Sequence, residues 1–107
     1  MDIVYTTYHM AITIEEMTSS YDKLMNKYYN KLYKILSPED KNILVSAQKA
    51  WLAYRDSQAK LIGTLTKREY SGGGTTIQMI ISNELYSDIV VERTIQLFNN
   101  FNDVNLK

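Results

Sequence analysis

Apolar residues recur at steps of three or four positions along most of the chain, which is the period of an amphipathic α-helix. The first such stripe ends before Ser37 and consists of Ile14, Met17, Tyr21, Met25, Tyr28, Leu32 and Ile35. It follows the run Thr13 to Glu16, whose hydroxyl and third-position carboxylate match a capping box. The pattern therefore predicts a helix that begins at Thr13. Residues 1–12 show no clear period and are predicted to form an irregular N-terminal arm.

A second helix is predicted to begin at Ser37-Pro38-Glu39-Asp40. Proline suits the first helical position and disfavours helix in the residue before it, and serine is a good N-cap. The predicted inner face of this helix consists of Leu44, Ala47, Gln48, Trp51, Tyr54, Arg55, Gln58, Ala59 and Ile62.

A third helix is predicted after Ser71-Gly72-Gly73-Gly74, a run that favours a turn because each glycine inside a helix costs about 1 kcal/mol relative to alanine. Thr75 to Gln78 offers another capping box. The apolar stripe that follows consists of Ile77, Ile81, Leu85, Ile89, Leu97 and Phe101. Residues 102–107, rich in asparagine, are predicted to fray.

Three long helices with short connections predict an all-α fold: an up-down-up antiparallel bundle with a Gly-rich turn between the second and third helices. The 107 residues suffice for one domain, which we expect over residues 13–101. If the chain reverses near Gly72, Ala59 lies level with Leu85, and Arg55 with Ile89.

The stretch from Ser46 to Asp56 holds the single tryptophan of the chain and is the centre of this pattern. Gln48, Trp51 and Arg55 are spaced to share one helix face. A buried guanidinium without a partner is costly, so Arg55 is either paired or exposed for binding. The predicted register places two candidate partners within its reach, Asp88 and Glu92.

Charge and composition exclude several classes of function. Twelve basic and twelve acidic residues cancel, which argues against a general nucleic-acid or membrane-surface binder. No apolar run is long enough to span a membrane, and residues 1–12 do not resemble a secretory signal. The chain has no cysteine, so disulfides and thiol catalysis are excluded.

Charged side chains also form two stripes on the predicted helices. Glu84, Asp88 and Glu92 follow one line on the third helix. Most such stripes are solvated faces, but the lysine line on the first helix, flanked by tyrosines, is a candidate surface for an acidic partner. The residues of this candidate surface are Lys23, Lys27, Tyr29, Lys31 and Tyr33.

Catalytic and cofactor chemistry has little support in the sequence. The single histidine, His9, lies in the predicted arm, and no serine has a plausible base beside it. Glu84 and Asp88 have a spacing that would allow a shared ion, although pairing or solvation suits them better. The glycine run lacks the lysine of a phosphate-binding loop. We expect no catalytic residue, no cofactor and no metal.

The Gln-x-x-Trp-x-x-x-Arg-Asp run resembles the signature of the LprI-type lysozyme-inhibitor-like family. Met25-Asn26, Tyr29 and Leu32 before it, and Glu92-Arg93-Thr94 after it, extend the likeness over about residues 22–97. The signature positions are Gln48, Trp51, Arg55, Asp56, Gly73, Gly74 and Arg93. Members usually carry two cysteines where this chain has Ala59 and Leu85, so an apolar contact would replace a disulfide here.

The resemblance implies a small helical domain exported by bacteria, located in the periplasm, at the cell surface or outside the cell. It implies no enzymatic activity and a protein partner, with a lysozyme-like muramidase as the candidate. A second hypothesis from the residues themselves is a structural or oligomerisation module, whose tyrosine-rich faces pack on another copy or on a larger partner.

Overall fold

The computed structural model describes residues 3–65 and 76–105. Within these ranges the chain forms three helices: α1 (Ile3–Ile35), α2 (Pro38–Leu65) and α3 (Thr76–Asn105). The predicted all-α fold is therefore confirmed. The glycine run and Thr75 lie outside the described residues, and the predicted turn there stays a prediction.

The helices alternate in direction, as an up-down-up bundle requires. Asn83 on α3 donates a hydrogen bond to Glu15 on α1, and further along both helices Phe98 packs against Tyr28, so α1 and α3 run parallel. Helix α2 runs the opposite way, since Gln48 contacts Arg93 whereas Leu44 joins the core beside Leu97.

Helix α3 is the common partner of the other two helices. Its most extensive packing is against α1, and it packs less extensively against α2. The core of the bundle is small, and its fully or nearly buried apolar side chains are Met25, Leu32, Leu44, Ile62, Val90 and Leu97. Tyr28, Tyr29, Leu36, Trp51 and Phe101 pack around the central part of this core.

The first helix begins earlier than the sequence predicts. Residues 3–12 are helical rather than irregular, and Thr13 lies inside α1 instead of capping it. This segment contains neither proline nor glycine, and adding residues to an existing helix avoids the cost of nucleation. The hydroxyl of Thr18 donates to the carbonyl of Ile14 one turn earlier, which satisfies a side chain that would otherwise favour a turn.

The third helix also extends further than predicted, and within the described part of its predicted apolar stripe only the later residues, Leu97 and Phe101, pack in the core. It continues to Asn105, so residues 102–105 are not frayed. Val90, Thr94 and Leu97 are buried, whereas Ile81 and Leu85 from the predicted stripe are 40% and 46% exposed. The buried line includes Ser87 and Thr94, small polar residues that an apolar pattern overlooks.

The break between α1 and α2 matches the sequence signal. Ser37 caps α2: its hydroxyl oxygen accepts a hydrogen bond from the Asp40 amide at 3.3 Å, and its carbonyl accepts one from the Lys41 amide at 2.8 Å. Pro38 is the first residue of the helix, where its missing amide proton costs nothing.

Candidate functional site

Four side chains of the predicted signature meet where α2 packs against α3. Gln48, Trp51 and Arg55 lie on one face of α2, because their spacing of three and then four residues is close to one helical turn. Arg93 reaches them from α3. Together these residues form what we call the guanidinium–indole cluster: Gln48, Trp51, Arg55 and Arg93.

Hydrogen bonds from Arg93 to Gln48 hold the cluster together. The Nε and Nη2 atoms of Arg93 both donate to Oε1 of Gln48, at 3.0 and 2.8 Å, and Nη1 donates to Oε1 of Gln96 at 3.2 Å. Gln48 is only 8% exposed, so its side chain needs such a partner. Burial lowers the pKa of the Arg93 guanidinium from its ordinary value, because desolvation disfavours the charged form. Arginine nevertheless stays charged at any physiological pH.

Both guanidinium groups lie close to the indole ring of Trp51. The Cζ atom of Arg55 is 5.6 Å from the ring centroid and that of Arg93 is 6.0 Å away. These distances are within the range of a cation–π attraction, which is strongest for tryptophan. The indole therefore stabilises the guanidinium groups of Arg55 and Arg93, two like charges at the interface between α2 and α3.

The partner of Arg55 differs from the predicted one. Its Nη2 atom pairs with Oδ1 of the neighbouring Asp56 at 3.0 Å. Asp88 and Glu92, the predicted partners, are exposed, because α3 presents Ile89 and Arg93 toward α2 and turns the preceding residue of each away. The Arg55 side chain is 25% exposed and that of Asp56 is 64% exposed, so this ion pair is largely solvated.

Arg55 also lines an open groove between α1 and α2. The groove has a volume of about 340 Å³ and includes Asp22 and Tyr29 from α1 as well as Gln48 from α2. A second groove of about 250 Å³ shares Arg55 and Asp22 and continues to Tyr86 on α3. Arg55 is thus both paired and accessible, which combines the two alternatives that the sequence left open.

The candidate binding surface separates into two parts. Tyr29 and Tyr33 stack on each other with ring centroids 6.3 Å apart, and Lys41 of α2 lies over Tyr33 at 4.9 Å. Lys27 and Lys31 instead lie over Tyr28. Lys23 is exposed on the same helix.

The predicted binding surface did not include the aromatic rings that lie beside the lysines. Tyr28 contacts Phe98 edge-on at 5.0 Å between centroids and lies 6.2 Å from Phe101. Lys31 is 5.5 Å from the Tyr28 ring and 5.6 Å from that of Phe101. Phe98 and Phe101 are three residues apart, so the sequence indicates that they share one face of α3. Their contact with Tyr28 depends on the parallel packing of α1 and α3, which the spacing alone does not give.

The described residues contain neither a cluster of metal-ligating side chains nor a membrane-spanning helix. No group of three or more histidine, cysteine, aspartate or glutamate side chains in them has the geometry to hold a metal ion. In that same part of the chain, no helix is both long and apolar enough to cross a membrane. The signature glycines Gly73 and Gly74 lie outside the described residues.

One family model matches the chain in a comparison with known protein families. The family is described as "Lysozyme inhibitor LprI", and the match covers residues 2–97. The matched range contains all four residues of the guanidinium–indole cluster. Comparisons with curated proteins and with solved structures found no match.

Proposed function

The chain belongs to the LprI lysozyme-inhibitor family, and on that basis we propose that it is a non-enzymatic domain that binds a lysozyme-like muramidase. The observation that carries the proposal is the family match over residues 2–97, nearly the whole bundle. An inhibitor acts by binding its target enzyme, so a protein partner follows from the same membership.

Within this function, the guanidinium–indole cluster has a structural role. Three of the five N–H donors of Arg93 are used within the bundle, two by the carbonyl oxygen of Gln48 and one by Gln96, so these contacts set the position of the guanidinium. The cluster fixes how α2 lies against α3. Binding of a muramidase then falls to side chains that are exposed and unpaired.

The proposed function also includes export to a compartment outside the cytoplasm. The targets of a lysozyme inhibitor act on the cell wall, so the inhibitor meets them outside the cytoplasm. Fractionation of cells that express the complete natural gene, with immunodetection in each fraction, tests this part. Detection in the cytoplasm alone would contradict it.

Binding to muramidases is the experiment that tests the function. We expect the purified domain to bind at least one member of a panel drawn from the different structural families of lysozyme, and to slow its lysis of bacterial cell walls. Calorimetry measures the binding and turbidity measures the lysis. A domain that neither binds nor slows any member of the panel is not a lysozyme inhibitor.

A second candidate function, an oligomerisation module, is supported by an accessible surface larger than that of a compact monomer and by an apolar groove. The accessible surface of the chain is 7429 Å². A compact monomer of 12.4 kDa is expected to expose about 6,100 Å². Part of this surface forms an apolar groove of about 300 Å³ between α2 and α3, lined by Tyr54, Gln58, Leu61, Ile62, Leu65, Leu85 and Ile89.

Self-association is tested by sedimentation velocity over a hundredfold range of concentration. A module of this kind gives a sedimentation coefficient that rises with concentration, whereas a constant monomeric value excludes it. The same preparation is used for the muramidase panel, so the two candidate functions are separated directly.

A further inference from the structure

We propose that the surface of α1 and α3 around Tyr28 is the part of the protein that enters the substrate cleft of the muramidase. This surface, the lysine–aromatic patch, consists of Lys27, Tyr28, Lys31, Phe98 and Phe101. The inference rests on the proposed function and names the surface and the chemistry through which it operates.

Positive charge is concentrated on this stretch of α1, although the chain as a whole is neutral. Between Lys23 and Ser37 the sequence has four lysines and no acidic residue, and residues 95–102 of α3 carry no charge. All four lysines are exposed. The ion pair found within residues 3–65 and 76–105 joins Arg55 to Asp56, so none of these lysines is neutralised by a carboxylate there.

Aromatic rings hold the two central ammonium groups in place. The ammonium group of Lys31 lies 5.5 Å from the Tyr28 ring and 5.6 Å from the Phe101 ring, and that of Lys27 lies 6.0 Å from the Tyr28 ring. Such contacts restrict long lysine side chains that would otherwise be disordered by rotation, which lowers the entropy cost of binding. Phe98 is 39% exposed and supplies apolar contact area beside them.

The substrate cleft of a glycoside hydrolase is complementary to these features. Such enzymes generally place two carboxyl groups on either side of the bond they cleave, in a groove that accommodates a chain of sugar rings. A helical surface that carries ammonium groups beside aromatic rings matches an acidic groove in charge. Lysines near these carboxylates would also hold the catalytic acid in its ionised form, which cannot donate the proton that the reaction needs.

The chain offers a matched pair of variants to test the patch. Lys27→Glu/Lys31→Glu reverses both ammonium groups of the patch. Lys49→Glu/Lys60→Glu makes the same change in net charge at two exposed lysines of α2. Circular dichroism and thermal melts verify that both variants remain folded.

Affinity for the muramidase that binds wild-type protein is then measured by calorimetry. We expect the patch variant to bind about tenfold more weakly or worse, the control variant to stay within about twofold of wild type, and added salt to weaken wild-type binding. We also expect a chitin oligosaccharide that fills the cleft to compete with wild-type protein.

Several outcomes would overturn the inference. It fails if the patch variant binds as tightly as wild type, if both variants weaken equally, or if the oligosaccharide does not compete. It also fails if the patch variant loses only binding to vesicles of phosphatidylglycerol and keeps its affinity for the muramidase, because the lysines would then serve a lipid surface. Absence of any muramidase binding by wild-type protein instead refutes the proposed function itself.

Discussion

Arg93 on α3 donates two hydrogen bonds to one carbonyl oxygen, Oε1 of Gln48 on α2, at 3.0 and 2.8 Å. The two residues are 45 positions apart in the sequence, and both belong to the signature that the sequence resemblance indicated. Their contact shows why glutamine, rather than a carboxylate, suits position 48. An amide oxygen accepts both donors without adding a second buried charge, whose desolvation would have to be overcome.

Removing the acceptor should destabilise the bundle. We expect Gln48→Ala to lower the free energy of unfolding by about 2–3 kcal/mol, because a partly buried guanidinium loses its two strongest hydrogen bonds. Urea denaturation followed by Trp51 fluorescence measures the change. Gln96→Ala, which removes a single exposed bond to the same arginine, should cost less than about 1 kcal/mol. Equal losses of unfolding free energy in the two variants would show that the Gln48 contact contributes no more to stability than the exposed Gln96 contact.

The two arginines of the cluster should contribute unequally to stability. Arg55→Ala should cost less than about 1 kcal/mol, since its partner Asp56 is largely solvated and the remaining contact is with the face of Trp51. Arg93→Ala should cost about 2 kcal/mol, because it leaves the Gln48 oxygen buried without a donor. The same urea titrations compare them, and a larger effect at Arg55 would contradict the geometry.

Replacement of Ser87 should stabilise the bundle, in contrast to the variants above. Its side chain is 2% exposed, and its hydroxyl has no hydrogen-bond partner within the part of the chain that the structure describes. Ser87→Ala should therefore raise the free energy of unfolding by about 1 kcal/mol, because an unsatisfied buried hydroxyl is removed. Ser57→Ala, at an exposed position of α2, is the control and should change stability by less than about 0.5 kcal/mol. A stability loss in the Ser87 variant would indicate a bonded hydroxyl.

The register of α2 and α3 allows a crosslinking test of the family alignment. The Gln48–Arg93 contact places Ala59 within one helical turn of Leu85, and Gln58 and Ile62 line a groove with Leu85. We expect Ala59→Cys/Leu85→Cys to form a disulfide on air oxidation and to stabilise the domain by about 3 kcal/mol. Thiol titration and thermal melts with and without reductant measure both effects, with Ala59→Cys alone as the control. Two free thiols after oxidation would contradict the proposed equivalence to the family's cysteines.

The sequence was sufficient for the type and direction of the helices and for the start of α2. Ser37-Pro38 fixed the start of α2 because capping and proline geometry act locally. Weak local signals were less informative: residues 3–12 lack a clear apolar period, yet nothing in them stops a helix that has already formed. Local pattern thus located the break between α1 and α2 better than it located the beginning of α1.

The pairing of side chains between helices was harder to predict. The spacing predicted that Gln48, Trp51 and Arg55 share one face, and the family resemblance added Arg93 to the signature. The preferred partners for Arg55, however, were Asp88 and Glu92, with exposure as the alternative. A rotation of α3 by one residue moves a different line of side chains toward α2, and the apolar pattern does not determine that rotation. The buried line of α3 includes the small polar residues Ser87 and Thr94, so it does not stand out as an apolar stripe in the sequence.

The parallel packing of α1 and α3 has a consequence for how this protein is made. The two helices that contact each other most lie at opposite ends of the chain, and the hydrogen bonds from Asn83 to Glu15 and from Thr94 to Tyr21 span 68 and 73 positions. During translation, α1 and α2 leave the ribosome before their common partner exists, with Met25 and Leu32 still lacking Leu97. The core closes only after α3 has been synthesised, so this helical bundle should fold more slowly than bundles stabilised by neighbouring helices.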